Sequence, residues 1–194
     1  MKSWLCASAL AACVTFAGAP TRLAAQGSAP AGRVNELLLA GLRPGKDTLA
    51  AAERRYKPKY SLARLTNDNV REWVDACRGK SLRVELDAKG SIRSVTISAL
   101  APRDAKCVEK RGDFLSQSSW ATGRGLRLGE PRDRVIDYYG EPNSSGPSVK
   151  GGRELELLSY TFDWAGPGVP QVLEVSCDRA TGRVVEITLA YPSL

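Results

Sequence analysis

The sequence predicts an α+β fold built as a tandem repeat. Each unit reads helix, helix, strand, strand, strand, and its antiparallel sheet carries helices on one face. Three observations predict it. Gly41-Leu42-Arg43-Pro44-Gly45 returns as Gly125-Leu126-Arg127-Leu128-Gly129, and Pro58 and Pro142 follow at the same offset of 84 (125 − 41 and 142 − 58). Behind each copy stands a stretch with helix caps and helix propensity, and behind that come segments of alternating apolar and polar residues. Self-similarity at a fixed spacing assigns one structural unit to each copy.

The elements follow in chain order. Residues 1–25 read as an export signal: Lys2 opens it, residues 4–19 are apolar or small, and Leu23-Ala24-Ala25 offers a cleavage site. Leu10-Ala11-Ala12-Cys13 also fits the pattern of an acylated cysteine, so a lipid anchor at Cys13 is the alternative route. Free export is favoured because the apolar run continues through Val14, Thr15 and Phe16. No later segment approaches the ~20 apolar residues of a spanning helix, so the mature chain is expected to carry none. The first repeat is assigned to residues 26–105 and the second to 106–194.

Apolar residues in 34–39 and in 114–120 predict a leading helix in each unit, ended by Gly41 and Gly125. The second helix of the first unit has Asp47 and Thr48 as N-caps before an alanine-rich run. Its counterpart starts at Pro131, carries Val135, Ile136 and Tyr139 as an apolar stripe, and stops at Gly140 and Pro142. Strands are predicted over 70–77 and 155–164. Hairpins follow each: Leu82, Val84 and Leu86 alternate with Arg83, Glu85 and Asp87, and Leu173, Val175 and Cys177 recur in the same pattern.

The second copy, Gly129-x-Pro131-x-x-x-Val135-x-x-x-Tyr139-Gly140-x-Pro142, resembles the signature of the BamE/SmpA outer-membrane lipoprotein domain. The tandem arrangement is similar to the β-lactamase inhibitory protein (BLIP-like) fold. Pro131 and Asp47 replace the usual Ser/Thr, and Tyr56 replaces the glycine in the first copy. The signature consists of caps and packing positions, so the resemblance implies a fold and leaves the task open.

Composition narrows the chemistry. The formal net charge is +7, or +5 once Lys2 and Arg22 are removed (7 − 2), and there is no histidine. That excludes Ser-His-Asp and Cys-His nucleophiles and histidine metal sites. No Cys-x-x-Cys occurs, and Gly79-Lys80-Ser81 lacks both the leading glycine and the strand-loop-helix order of a phosphate loop. No catalytic residue, cofactor or metal is therefore assigned. Arg54, Arg55, Lys57, Lys59 and Arg64, interleaved with Tyr56 and Tyr60, are read as a solvated helix end and not a nucleic-acid patch. Three cysteines outlast signal removal. Cys177 takes an inward strand position, which leaves Cys77 and Cys107 as the expected disulfide, closing a loop that would stabilise by ~3–4 kcal/mol.

The strand pattern also assigns faces. With Val70, Val74, Leu158, Tyr160, Phe162 and Trp164 turned toward the helices, the opposite face carries Arg71, Trp73, Asp75, Arg83 and Glu85. The second unit adds Ser159, Thr161, Asp163, Glu174, Ser176, Glu186 and Thr188, with Asp163 aligned to Asp75. Trp73 amid charges suggests a binding anchor with a polar surround. The expected function is an exported bacterial envelope module, periplasmic or secreted, that binds another envelope or secreted protein and is not an enzyme. A proteinaceous inhibitor of a secreted enzyme and a carboxylate-dependent hydrolase are the alternatives.

Overall fold

Hydrogen bonding of alternating segments to their sequence neighbours generates the architecture. The computed structural model describes residues 35–56, 69–101, 120–162, 166 and 168–191, together with the backbone of 63–67. Helix α1 (Leu49–Arg55) precedes strands β1 (Ala63–Asn67), β2 (Val70–Asp75), β3 (Lys80–Leu86) and β4 (Ile92–Ser98). Helix α2 (Arg132–Tyr139) precedes β5 (Ser144–Lys150), β6 (Arg153–Thr161), β7 (Val172–Asp178) and β8 (Arg183–Ala190). All eight strands belong to one antiparallel sheet of order β1-β2-β3-β4-β8-β7-β6-β5.

The expected α+β tandem of helix pairs with separate three-stranded sheets is therefore corrected. Among the described residues the protein is mostly β, with two short helices against a single sheet. The helix expected over 34–39 is absent: residues 35–38 are irregular, and Leu39 forms bridges to Leu42 and Thr122. Leu39, with Ala40 after it, enters the core from a loop and is fully buried, whereas Leu37 and Leu38 are exposed. The helix expected over 114–120, the signal segment with Cys13, and Cys107 lie outside the described residues. Two strands went unpredicted, β1 and β5. Both are sheet edges, where packing on a neighbour need not impose alternation.

The repeated glycine motif forms loops and not helix ends. Gly41, Gly45, Gly125 and Gly129 all take positive φ, between 68° and 100°. Leu42 and Leu126 are buried between them. Gly45 N–H donates to Ile92 O (2.8 Å) and Gly129 N–H to Val184 O (2.7 Å), so each loop docks at the start of β4 or β8. Arg55's guanidinium lies over Gly41 so closely that a Cβ there would fall 2.2 Å from Nη2. Asp47, expected as a cap, instead closes its loop by accepting from Arg43 N–H (2.8 Å).

One apolar layer fills the helix-facing side of the sheet. Leu82, Val84, Val95, Ile97, Ile187, Leu189, Leu173, Val175, Leu158 and Tyr160 form one buried cluster with Ala52 and Tyr56 of the α1 segment and with Val135 and Tyr139 of α2. Each helix end contributes a tyrosine that meets a strand aromatic. Tyr56 lies 5.8 Å from Trp73, and Tyr139 lies 5.7 Å from Tyr160 (ring centroids). Trp73 therefore belongs to the core, at 2% exposure.

Strand β5 manages its edge. Gly151 and Gly152, both with positive φ, make the two-residue turn closing Lys150 on Arg153. Alternation from that closing pair aims the amides of Ser148 and Gly146 at β6 and leaves Ser145, Pro147 and Val149 facing outward. The missing N–H of Pro147 thus falls in the middle of the outward row, removing a donor that a second strand would use. Replacing Pro147 by Thr is expected to raise self-association, read by sedimentation velocity; an unchanged monomer fraction would reject this role. Trp73→Ala is expected to lower stability by about 3–5 kcal/mol in urea melts, where a surface anchor would cost well under 1 kcal/mol.

Candidate binding face

Strand pairing fixes which side chains share the open face. One row crosses seven strands: Glu72, Arg83, Thr96, Thr188, Glu174, Ser159 and Ser144 are successive directly paired partners. The adjacent row runs Val74, Ser81, Ser98, Glu186, Ser176 and Leu157. Directly opposed residues of antiparallel strands project to the same side, and neither row contains a member of the helix-side cluster.

The middle of this face is built from small hydroxylated residues. Ser81, Ser94, Ser98 and Ser176 are buried, and Thr96 Oγ1 and Thr188 Oγ1 hydrogen-bond at 2.9 Å where β4 meets β8. Charges flank this strip. Arg83 Nη2 donates to Glu85 Oε1 at 2.8 Å on one side. On the other, Lys150 Nζ lies 2.7 Å from both oxygens of Glu186, and Arg153 pairs with Asp178 at 2.8 Å. Hydrogen bonds from the Thr181 backbone N–H and then its hydroxyl hold the Asp178 carboxyl below its ordinary pKa, with Arg153 adding to the effect.

The residues singled out from sequence divide. Arg83, Glu85 and Thr161 stand on the open face. Arg71, Trp73 and Asp75 do not: they pair with Val84, Leu82 and Lys80, so they share the helix-facing side. The correction has a size argument behind it. Val70 and Val74 occupy one phase of β2 and Trp73 the other, and one tryptophan buries 150–250 Å². The larger ring decides the phase. Val70 is then buried on the open face instead. Asp75 forms a 3.2 Å ion pair with Arg78. Asp163 lies outside the described residues, as does Cys107, the expected partner of Cys77.

One residue that joins the chain's two loop systems had no signal in the sequence. Glu36 is 2% exposed. Its Oε1 accepts from Leu37 N–H (2.7 Å) and Leu38 N–H (3.0 Å), and its Oε2 from Arg124 N–H (3.1 Å) and Tyr139 O–H (2.7 Å). Gly123 is required beside it, since a Cβ there would sit 2.5 Å from Oε1. The helix expected over 34–39 assigned this carboxylate no role. It is a structural staple, with every oxygen engaged by protein donors.

Reactive groups are scarce among the described residues. Among the described residues no cluster of three or more His, Cys, Asp or Glu could hold a metal ion. Cys177 is a free, buried thiol whose pKa burial pushes up to about 11, and a protonated buried thiol is a poor nucleophile. No helix among the described residues is long and apolar enough to cross a membrane.

No family model matches the chain. No curated protein matches it either. A solved structure, described as a cysteine-rich secretory protein from Staphylococcus aureus subsp. aureus Mu50, is similar to it at a TM-score of 0.40 and 11% identity. The similarity covers 80% of this chain and 47% of that one, so the chain spans about half its length. A likeness of that size carries no argument about fold or function.

The buried tyrosines make stability depend on alkaline pH. Tyr160 O–H donates to Gly140 O (3.0 Å), and burial raises its pKa from 10.0 to about 12. Burial, then the charge of Glu36, raises Tyr139 as well. A raised folded-state pKa gives a contribution that is whole below the unfolded value and lost as pH climbs through the folded one. Unfolding free energy is expected to fall from pH 10 upward, and Tyr160→Phe to flatten that fall between pH 10 and about 12. Parallel slopes in urea melts of both proteins would refute the assignment.

Proposed function

We propose that the chain is an exported, non-enzymatic binding module that engages another envelope or secreted protein through the open face of its sheet. The observation that carries this reading is the composition of the two rows crossing β2 to β7. A strip of small hydroxyl side chains lies between flanking charges, while both helices pack on the opposite side. A face of fixed register, supported by a continuous core, presents its groups without much ordering cost on binding; Arg83 and Ser144 of its two rows are exposed, and the other members are half-buried or buried. Charges of both signs at its margins favour orientation and choice of partner over raw affinity. Export rests on the leading segment, residues 1–25, with its apolar run and small-residue cleavage site.

Inhibition of a secreted enzyme is a special case of the same reading. It has lost its aromatic anchor, since Trp73 is buried on the other side. On the described part of this face, a carboxylate hydrolase would have to draw on Glu72, Glu85, Glu174, Glu186 or Asp178. Glu186 and Glu85 are already paired with Lys150 and Arg83.

The test inverts the charges of one row. Arg83→Glu with Glu174→Arg is compared with wild type in affinity capture from envelope fractions, and affinity is then measured with the purified recovered protein. The expected loss is about tenfold or more, as for contacts worth over 1 kcal/mol. Equal affinity, with melting curves showing both proteins folded, would eliminate the sheet-face reading.

A further inference from the structure

A second surface, on the other side of the sheet, carries a separate binding chemistry. Lys80, Trp120, Arg127 and Leu128 line a small, solvent-open recess. Lys80 begins β3 opposite Asp75, on the helix-facing side. Trp120 precedes Ala121, which bridges to Arg127, so the glycine loop of the second copy sets the tryptophan and the arginine side by side. Trp120 is 3% exposed, and its indole Nε1–H is buried without a hydrogen-bond partner.

Each feature constrains the occupant. Indole is a donor only, so what completes it must bring an acceptor. Buried donors left unmatched are rare and unfavourable, and the ring that carries this one lines the recess. Lys80 and Arg127 add an ammonium and a guanidinium, which select a negative acceptor over a carbonyl or water. The guanidinium fork fits a planar group with two oxygens. The chain's formal net charge of +7 favours the approach of acidic ligands. Leu128 gives the recess an apolar wall, against which the methylenes of a glutamate stem can lie.

We propose that this recess binds a carboxylate group of an acidic peptide, with one oxygen accepting from Trp120 Nε1–H and the other facing Lys80 and Arg127. The site is independent of the open-face reading, because no residue of the two rows lines it. It needs no covalent step and no metal.

The experiment follows the indole N–H resonance of Trp120 in ¹⁵N-labelled protein, assigned by its loss in Trp120→Phe. Acetate, a hexaglutamate peptide and inorganic phosphate are titrated separately. The expected result is a saturable downfield shift with both carboxylates, tighter for the peptide and weakened about tenfold or more in Arg127→Gln. Arg127→Lys should recover part of that loss. No saturable shift, an unchanged affinity in Arg127→Gln, or phosphate binding more tightly than either carboxylate would each overturn the assignment. Because Arg127 is exposed, its variants are not expected to alter the fold, and a melting curve of each checks this.

Discussion

The pairing of β4 with β8 is the constraint on which the rest of this structure depends. Without it, the chain would hold two four-stranded meanders, each with an exposed inner edge and a core too small to stand securely alone. With it, Val95 meets Leu189 and Ile97 meets Ile187 at the centre of a single apolar layer, and the Thr96–Thr188 hydrogen bond lies on the reverse side. Both inner edges vanish at once. The remaining edges are β1 and β5, and β5 carries a proline at an outward-facing position.

The loops serve this junction. The two glycine motifs bury Leu42 and Leu126 and donate backbone hydrogen bonds to the strand starts that flank it. They are tied to each other as well: Ala40 N–H donates to Ala121 O, Gly123 N–H donates to Leu38 O, and Glu36 gathers Arg124 and Tyr139. Loops usually run over a surface because their backbone groups need partners. Here they can be buried because each supplies partners for the other. The positive φ of the four motif glycines is what permits chain reversals this tight.

Much of the interior was legible from sequence, and the reasons are local. Leu49–Arg55 and Arg132–Tyr139 are helical as propensity indicates, although neither Thr48 nor Pro131 makes a side-chain cap bond, and Gly140 ends α2 with φ of 75°. The hairpins of β3–β4 and β7–β8 alternate on either side of one register shift each, after Glu85 and after Ser176, so the faces of Arg83, Glu85, Glu174 and Thr188 came out correctly. Strand β2 did not. Aligning Asp75 with Asp163 put the two copies one residue out of phase. The structural match is Trp73 with Tyr160, each paired to the corresponding leucine, Leu82 or Leu173. A one-residue slip turns every side chain over, which moved Trp73 from core to surface and Arg71 and Asp75 with it. Strand β5, Ser-Ser-Gly-Pro-Ser-Val-Lys, was illegible because an edge needs neither apolar alternation nor strand propensity. The apolar residues of 34–39 looked helical because spacing alone does not distinguish a helix face from a loop that sinks Leu39 into the core and leaves Leu37 and Leu38 outside. Glu36, Trp120 and Lys80 each acquire a role only from neighbours distant in sequence.

Connectivity also ranks the steps by which the chain can assemble. Each meander can close hairpin by hairpin across turns of a few residues, whereas joining Thr96 to Thr188 closes a separation of 92. Loop-closure entropy grows with the logarithm of that separation and makes the central seam costlier to form than a hairpin by roughly 3 kcal/mol. The seam is therefore the late event, and until it forms two apolar-backed strands stand uncovered. A newly made polypeptide is most vulnerable to pairing with a neighbour during that interval, at β4 and β8 and not at the outer strands β1 and β5.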